Sequence, residues 1–370
     1  MLKKISYAVV GLGNIAQNAI LPAFAHAKRN SRLGALVSGD PQKLKSLGKQ
    51  YGVEHTFSYG EYEDCLRSGL IDAVYIATPN WYHQRFTEIA AQHKINVICE
   101  KPMALDERAC VSMIEATNAN QVKLMLAYRL HFDEANLRVR ELASTGRLGA
   151  LHVFNSVFTM KIHDRINLRL QREMGGGTLF DIGIYCIHEA RTLFDAEPIE
   201  VFAMSGSSGK TSFEEGDEMT SVIMKFPDER LATFTASFGV ANTSSYELIG
   251  TRGRVRMDHP YEYDRGSELT IQRDDGRITH AKFSKHDQFA SELLHFSDCV
   301  LHGRDPEPSG TEGLADVRII NALLSSAETG QPVHLGEFMS GYAPTHKKSA
   351  REGTKPVADI KTPSSSTRRH

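Results

Sequence analysis

Residues 5–16, ISYAVVGLGNIA, decide the fold. Ile5 to Val10 is an apolar run of strand character. It leads without a break into Gly11, Leu12, Gly13, Asn14, Ile15 and Ala16, after which Gln17 to Ala27 has helical apolar spacing. This is G-x-G-x-x-A between a strand and a helix, the context in which the pattern marks a dinucleotide site. Gly11 permits the tight turn, Gly13 lets the backbone approach a pyrophosphate, and Ala16 keeps the helix close to the sheet. The exposed N–H groups at Asn14 and Ile15, at the positive end of the helix, attract phosphate. Alone, such a loop could be a plain strand-helix turn; at the head of an alternating β/α series it reads as a binding loop.

That series continues with strands at Leu33 to Val37, Ile71 to Ala77 and Ile95 to Cys99, and with a helical stretch from His83 to Gln92. The alternation predicts a doubly wound, mostly parallel Rossmann sheet of the α/β class. Ligands of such sheets bind outside the carboxyl ends of the strands. At the end of the second strand stand Ser38 and Gly39, with Lys43 nearby, where an NAD-preferring site usually places a carboxylate. Asp40 could take that role, but Asp40-Pro41 reads better as a helix cap followed by proline at the first helical position. The expected cofactor is therefore NADP, with NAD as the alternative. Thr78 and Asn80 end a further strand and could contact the nicotinamide half; His83 either joins them or is a first-turn residue of the next helix. In residues 94–103, KINVICEKPM, a buried strand breaks at Glu100, Lys101 and Pro102, which aims Lys101 at whatever the sheet binds. A surface lysine in a turn is the ordinary alternative.

After Leu124 to Tyr128 the pattern changes. A helix over 132–145 and a strand from Leu148 to Thr159 are followed by short strands at 199–205, 219–226, 230–238, 245–250 and 253–258, which predicts a second, α+β domain. Alternation in LATFTASF, residues 231–238, indicates an open-faced, mostly antiparallel sheet, and a second subunit could cover its bare face. A homo-oligomer is expected. Between helix and sheet, GGGTLFDIGIYCIHEARTLF places Asp181, Tyr185 and His188 at i, i+4 and i+7 of one helix face. Acid, phenol and imidazole in one stripe suit proton transfer, although Tyr185 could equally pack in the core with its hydroxyl on Asp181.

Composition narrows the function classes. Forty-three Lys plus Arg against 45 Asp plus Glu leave a formal charge of -2 with no basic stripe, so no nucleic-acid partner is expected. No apolar stretch approaches the ~18 residues of a membrane span, and MLKKISYAVVGLG reads as a first strand, not a leader. Five scattered cysteines without a C-x-x-C pair suggest neither a disulfide framework nor a metal site, and fit a reducing cytoplasm. Residues from Ala343 onward are rich in Ser, Thr, Pro and charge, which predicts a disordered tail.

Taken in order, GLGNIA, ATPNWYH, the Glu100-Lys101-Pro102 turn, AYRLHF (127–132), GRLG (146–149), GGGTLFDIGIY and the Gly250 to Gly253 hairpin resemble one family. It is that of glucose-fructose oxidoreductase, inositol dehydrogenase and rhizopine-catabolism oxidoreductase, called Gfo/Idh/MocA. The resemblance spans about residues 5–336. It implies a Rossmann NAD(P)-binding domain over 1–127, a substrate-binding and oligomerisation domain over 128–340 and a tail over 341–370. It also implies a homodimer or homotetramer built through the second sheet, with Lys101 as the catalytic lysine and Asp181 as its acid. Tyr185 replaces a histidine found in many members, as in the glucose-fructose oxidoreductase, NADP-xylose dehydrogenase and dimeric dihydrodiol dehydrogenase branch. His188 matches no catalytic position. Arg129, in the cofactor set with Glu100 and Lys101, and Arg169 are added by their nearness in sequence to these motifs. Only four residues precede the first strand, so the expectation is ordinary cofactor exchange rather than a permanently held nucleotide.

The expected reaction moves a hydride between a sugar or polyol carbinol carbon and the nicotinamide, while the hydroxyl proton goes to Tyr185. A phenol is a weak base near neutrality, so Lys101 would favour the phenolate and stabilise developing oxygen charge. Rival readings are a trans-dihydrodiol dehydrogenase, a redox-assisted glycoside-cleaving enzyme and a non-catalytic NADP-binding regulator.

Overall fold

A computed structural model describes residues 3–162, 167–171, 174–208, 217–339, 341, 342 and 344. The tail expected over 341–370 lies almost wholly outside the described residues.

Six strands, β1 (Ile5–Val10), β2 (Ser31–Val37), β3 (His55–Phe57), β4 (Ala73–Ile76), β5 (Asn96–Cys99) and β6 (Leu124–Leu126), form a parallel sheet in the order β3-β2-β1-β4-β5-β6. The strand order reverses between β1 and β4, which opens the binding crevice above the glycine loop. β1 is buried throughout, as a strand covered on both faces must be, and so reads as an unbroken apolar run. β3 has three residues, mostly exposed, and carries no such run, which is why the sequence reading omits it.

The helix expected over 17–27 is shorter and irregular. A wide π-type turn, Ala16–Ile20, leads into α1 (Leu21–Ala23), where Pro22 has no N–H to give to a regular helix. α2 (Pro41–Tyr51) starts as the sequence indicates: the Asp40 side chain accepts from the N–H groups of Gln42 and Lys43, at 2.9 and 3.1 Å. α3 (Tyr62–Arg67), α4 (His83–Gln92) and α5 (Glu107–Ala119) complete the crossovers, and α4 has the predicted bounds.

α6 (Glu134–Ser144) leads to β7 (Leu151–Thr159), and α7 (Ile184–Phe194) to β8 (Glu200–Gly206). Then follow β9 (Met219–Phe226), β10 (Arg230–Ser237), β11 (Thr243–Gly250), β12 (Gly253–Asp258), β13 (Ser267–Arg273) and β14 (Ile278–Phe283). With β15 (Val333–His334) they make a second sheet, ordered β14-β13-β12-β11-β7-β10-β9-β8-β15. Its pairs are antiparallel apart from β7 with β10. Ala232, Phe234 and Ala236 of β10 point into the core, whereas Val157, Met204, Met219, Ile223 and Leu231 stand more than a third exposed on the opposite face. Helices cover one side and leave the other bare, as the alternation predicts.

Two long helices lie outside the sequence reading. α8 (Gln288–His302) comes late in the chain, yet it packs against β1 and β2, and its Phe289, Leu293 and Phe296 share a core with Tyr7 and Ile20. α9 (Gly310–Thr329) lies against both α5 and β8, and so ties the two sheets together.

Candidate active site

The glycine loop sits at the β1/β4 crevice. Gly11 has φ +93°, and a Cβ there would lie 2.6 Å from the Ala77 carbonyl oxygen, so only glycine fits where β1 and β4 end side by side. A Cβ on Gly13 would meet nothing within 4 Å, because that α-carbon faces the open crevice. Asn14 is exposed beside it and Ile15 half-buried. Ser38 closes β2 and is 4% exposed; its Oγ accepts from the Asp40 N–H at 3.2 Å, so Asp40 and Ser38 both serve the turn. The Tyr59 ring lies under Gly39, 3.1 Å from where a Cβ would stand. The Lys43 ammonium is 3.8 Å from Asp40 and half exposed. Thr78 keeps a buried Oγ1 with no partner at the rim of the crevice. An open backbone loop, a carboxylate already bound in a cap, a nearby lysine and an unsatisfied hydroxyl fit a dinucleotide with a phosphorylated ribose.

His83 is a correction. It is fully buried, its Nδ1 2.9 Å from the Pro102 carbonyl and its Nε2 2.9 Å from the Thr78 carbonyl. It has no surface to offer a cofactor and instead fastens the loop after β4 to the turn after β5. Asn80 donates from its amide to the Gly175 carbonyl at 3.0 Å, which joins that same loop to the glycine run across the cleft. Glu100 is buried and accepts from the Tyr75 hydroxyl at 3.0 Å; burial raises its carboxyl above the ordinary range while neighbouring Lys101 works the other way.

Lys101 follows β5 and Glu100, before a cis bond to Pro102. Its ammonium donates to the Asp181 backbone carbonyl at 2.6 Å and stands 3.5 Å from the Asp181 carboxylate. The glycine run makes this possible: Gly176 and Gly177 donate to the carbonyls of Gln171 and Arg169, at 2.9 and 2.8 Å, folding the preceding loop back against the helix start. Arg169 thereby reaches Asp181, Nε to Oδ2 at 2.7 Å. Burial works to raise the Asp181 carboxyl, but Lys101 and Arg169 outweigh it and hold it below the ordinary range, so it is a carboxylate clamped between two cations.

Tyr185 lies one turn further on. Lys101 Nζ is 4.7 Å and Arg129 Cζ 5.0 Å from its ring centroid, and Phe158 meets the ring edge-to-face at 5.8 Å. Among the described residues its hydroxyl has no hydrogen-bond partner, so the phenol is free for a ligand. Arg129 is buried, donates to Gln288 Oε1 at 2.7 Å and to the Tyr261 carbonyl, and packs against Tyr263 at 5.4 Å. It braces Tyr185 from within the protein. Tyr263 and Phe158, which wall this cleft, carry no sequence signal of their own.

His188 is the second correction, since it does not share a stripe with Asp181 and Tyr185. The π-type turn at Leu179–Gly183 breaks the regular spacing between Asp181 and the two later residues, and His188, three residues past Tyr185 on α7, is buried in the core, where it stacks on Tyr128 at 4.0 Å. Its Nδ1 is 2.9 Å from Asp316 Oδ2 on α9, and its Nε2 2.7 Å from His131 Nε2.

Residues 5–128 match the family described as "Oxidoreductase family, NAD-binding Rossmann fold", and residues 136–256 match the "GFO/IDH/MocA C-terminal domain". The chain is 30% identical over 340 residues to a D-xylose 1-dehydrogenase [NADP(+)] of Haloarcula marismortui, covering 90% of this chain and 93% of that one. The crystal structure of an aldose-aldose oxidoreductase from Caulobacter crescentus superposes with a TM-score of 0.86 at 36% identity, over 90% of this chain and 100% of that one. A trans-1,2-dihydrobenzene-1,2-diol dehydrogenase of Xenopus tropicalis is 22% identical, over 87% of this chain and 96% of that one. The chain belongs to the Gfo/Idh/MocA oxidoreductases and is an NAD(P)-dependent enzyme.

Proposed function

We propose that this enzyme is an NADP-preferring dehydrogenase of sugars, acting on a carbinol carbon of a pyranose or related polyol. The observation that carries this reading is Lys101 locked against Asp181 at the sheet edge, with the ring of Tyr185 beneath its ammonium and its phenol hydroxyl without a hydrogen-bond partner among the described residues. NADP supplies the hydride acceptor at its nicotinamide ring. The chain does the rest. The glycine loop, Ser38 and Lys43 hold the nucleotide, and Thr78 lies at the nicotinamide side. Tyr185 takes the proton of the substrate hydroxyl, and Lys101 stabilises negative charge as it develops on that oxygen. Asp181 and Arg169 fix the height of the lysine above the ring. The names of the relatives, a D-xylose 1-dehydrogenase and an aldose-aldose oxidoreductase, support a sugar substrate.

In this reading residues 1–127 bind the nucleotide and 128–340 shape the substrate cleft, helped by α8, which returns to the first sheet. The bare face around Ile223 and Leu231 is the surface through which a homodimer or homotetramer forms, since a broad apolar sheet face is stable when covered. No helix among the described residues is long and apolar enough to cross a membrane, and the five cysteines are free and buried, which supports a place in the cytoplasm.

A panel of aldoses, cyclitols and aromatic trans-diols, each offered with NADP and with NAD and followed at the nicotinamide absorbance, tests the reading. Reduction of NADP by an aldose is the expected result. Turnover of trans-diols alone would move the substrate class, and binding of NADP without turnover of any member would make the chain a sensor. Two aldoses supplied with catalytic NADP, and followed by product formation, distinguish a dehydrogenase from an enzyme that oxidises one sugar at the expense of another.

A further inference from the structure

Beneath the turn that carries Lys101, Tyr75 of β4 lies fully enclosed between two carboxyl groups. Its Oη is 3.0 Å from Glu100 Oε1 and 3.4 Å from Glu292 Oε2, the latter contributed by α8. Glu292 is completely buried and Glu100 nearly so. A phenol has one proton to give, and ionised carboxylates can only accept. Tyr75 therefore cannot satisfy both acids as carboxylates, and two such charges on one hydroxyl in a dry interior repel each other.

The surroundings decide which acid keeps its charge. Glu100 adjoins Lys101 and also feels Arg129. Glu292 faces Glu100, Arg129, Tyr75 and Asp287 at the start of its own helix, but Arg129 directs its hydrogen bonds to Gln288 and the Tyr261 carbonyl instead. Glu292 Oε1 is moreover enclosed without any partner, a far smaller penalty for a neutral acid than for a carboxylate.

We propose that Glu292 is a positioning residue that works as a neutral acid, donating to Tyr75 while Tyr75 donates to Glu100, so that one charge remains and the turn presenting Lys101 is held from below. Burial raises both carboxyls, and the charge of Glu100 pushes Glu292 further up whereas Lys101 pulls Glu100 down, in keeping with this order. The relay adds a polar contact to the apolar packing of α8 on the first sheet. Through it, α8 reaches the base of the Lys101 turn.

The test compares the full-length protein with Glu292→Gln, which is neutral at every pH and keeps a donor, and with Glu292→Leu, which is equally neutral but has no donor. An acid raised in the folded state stabilises fully below its ordinary value, 4.5, and loses that contribution as pH rises toward its folded value. The melting temperature of the wild type should therefore fall progressively below that of Glu292→Gln between about pH 5 and about pH 8. A gap that stays constant over this range would show that Glu292 is ionised in the native protein, and would overturn the proposal. This arm needs no substrate, so it stands apart from the reading of Lys101 and the sugar. The kinetic arm rests on that reading and uses whichever aldose the wild type oxidises. Glu292→Gln should keep the wild-type kcat, while Glu292→Leu should lose kcat with its NADPH affinity, read by nucleotide fluorescence, unchanged. Equal losses of kcat in the two variants would count against the relay. If Glu292→Leu does not fold, the pH series and kcat of Glu292→Gln decide alone.

Discussion

Lys101 and Asp181 are joined at two points: the ammonium donates to the aspartate's own backbone carbonyl at 2.6 Å and stands 3.5 Å from its carboxylate. One contact would survive loss of the other. The carbonyl holds the lysine in place, and the carboxylate sets the charge around it. Lys101→Met should lower kcat by about 10²- to 10³-fold, the usual worth of a donor aimed at developing oxygen charge, with NADPH binding retained. Steady-state kinetics beside a fluorescence titration of NADPH check this, and a variant that loses binding and not turnover would reassign Lys101 to the nucleotide.

Tyr185→Phe should lower kcat by roughly 10²- to 10⁴-fold, because the ring contacts remain and the proton acceptor does not. Its melting temperature should stay close to the wild type, since the hydroxyl makes no hydrogen bond among the described residues. The loss in the Lys101→Met, Tyr185→Phe double variant should fall well short of the product of the two single losses, as expected for groups acting on one oxygen. Near-normal turnover of Tyr185→Phe would leave Lys101 as the proton acceptor.

Asp181→Asn should melt lower than the wild type at neutral pH, where it leaves Lys101 and Arg169 facing each other with no carboxylate between them. The Asp181 carboxyl is held below its ordinary value of 3.8, so its contribution is complete above that pH and is lost as pH falls through the folded value. Melting curves should thus show the difference between wild type and Asp181→Asn shrinking below about pH 4. A difference that persists unchanged into acid would mean that the carboxylate does not act through its charge.

Gly11→Ala and Gly13→Ala separate folding from binding. The first forces a Cβ against the Ala77 carbonyl at a positive φ and should cost about 1–3 kcal/mol of stability or more. In the second the Cβ meets only open space, so the fold should be unaffected while NADPH affinity drops. Thermal melts with and without NADPH distinguish the two, and a Gly13→Ala protein with full affinity would move the pyrophosphate away from this loop.

Ser38→Asp should invert cofactor preference. The new carboxylate can still accept from the Asp40 N–H, as Ser38 Oγ does at 3.2 Å, so the turn is kept. It would repel a 2′-phosphate, and each charge-assisted hydrogen bond lost costs about 1.5–3 kcal/mol. Dissociation constants for NADPH and NADH in both proteins measure the effect; a wild type that binds NADH as tightly as NADPH would refute the role given to Ser38.

Local chemistry was enough to determine the glycine loop, the Asp40 cap, α4 to the residue, the β/α alternation and the one-sided second sheet. Each of these follows from period, burial or φ at neighbouring positions, which a sequence displays directly. That Lys101, Asp181 and Tyr185 meet was legible because a strand end and a glycine run mark where a sheet binds, while the roles given to them come from the family resemblance. Tertiary structure alone decided the rest. The spacing from Asp181 to α7 depended on a π-type turn that no periodicity announces, and His188 is held in the core by Asp316, Tyr128 and His131, all from other elements. His83 lies in the first turn of a helix, where its buried place between two carbonyls could not be inferred, because both partners come from other loops. Glu292 stands nearly two hundred residues from Glu100 in the chain, and only the return of α8 to the first sheet brings the two acids to one tyrosine. Contacts between elements distant in sequence depend on packing, and packing leaves no local pattern to read.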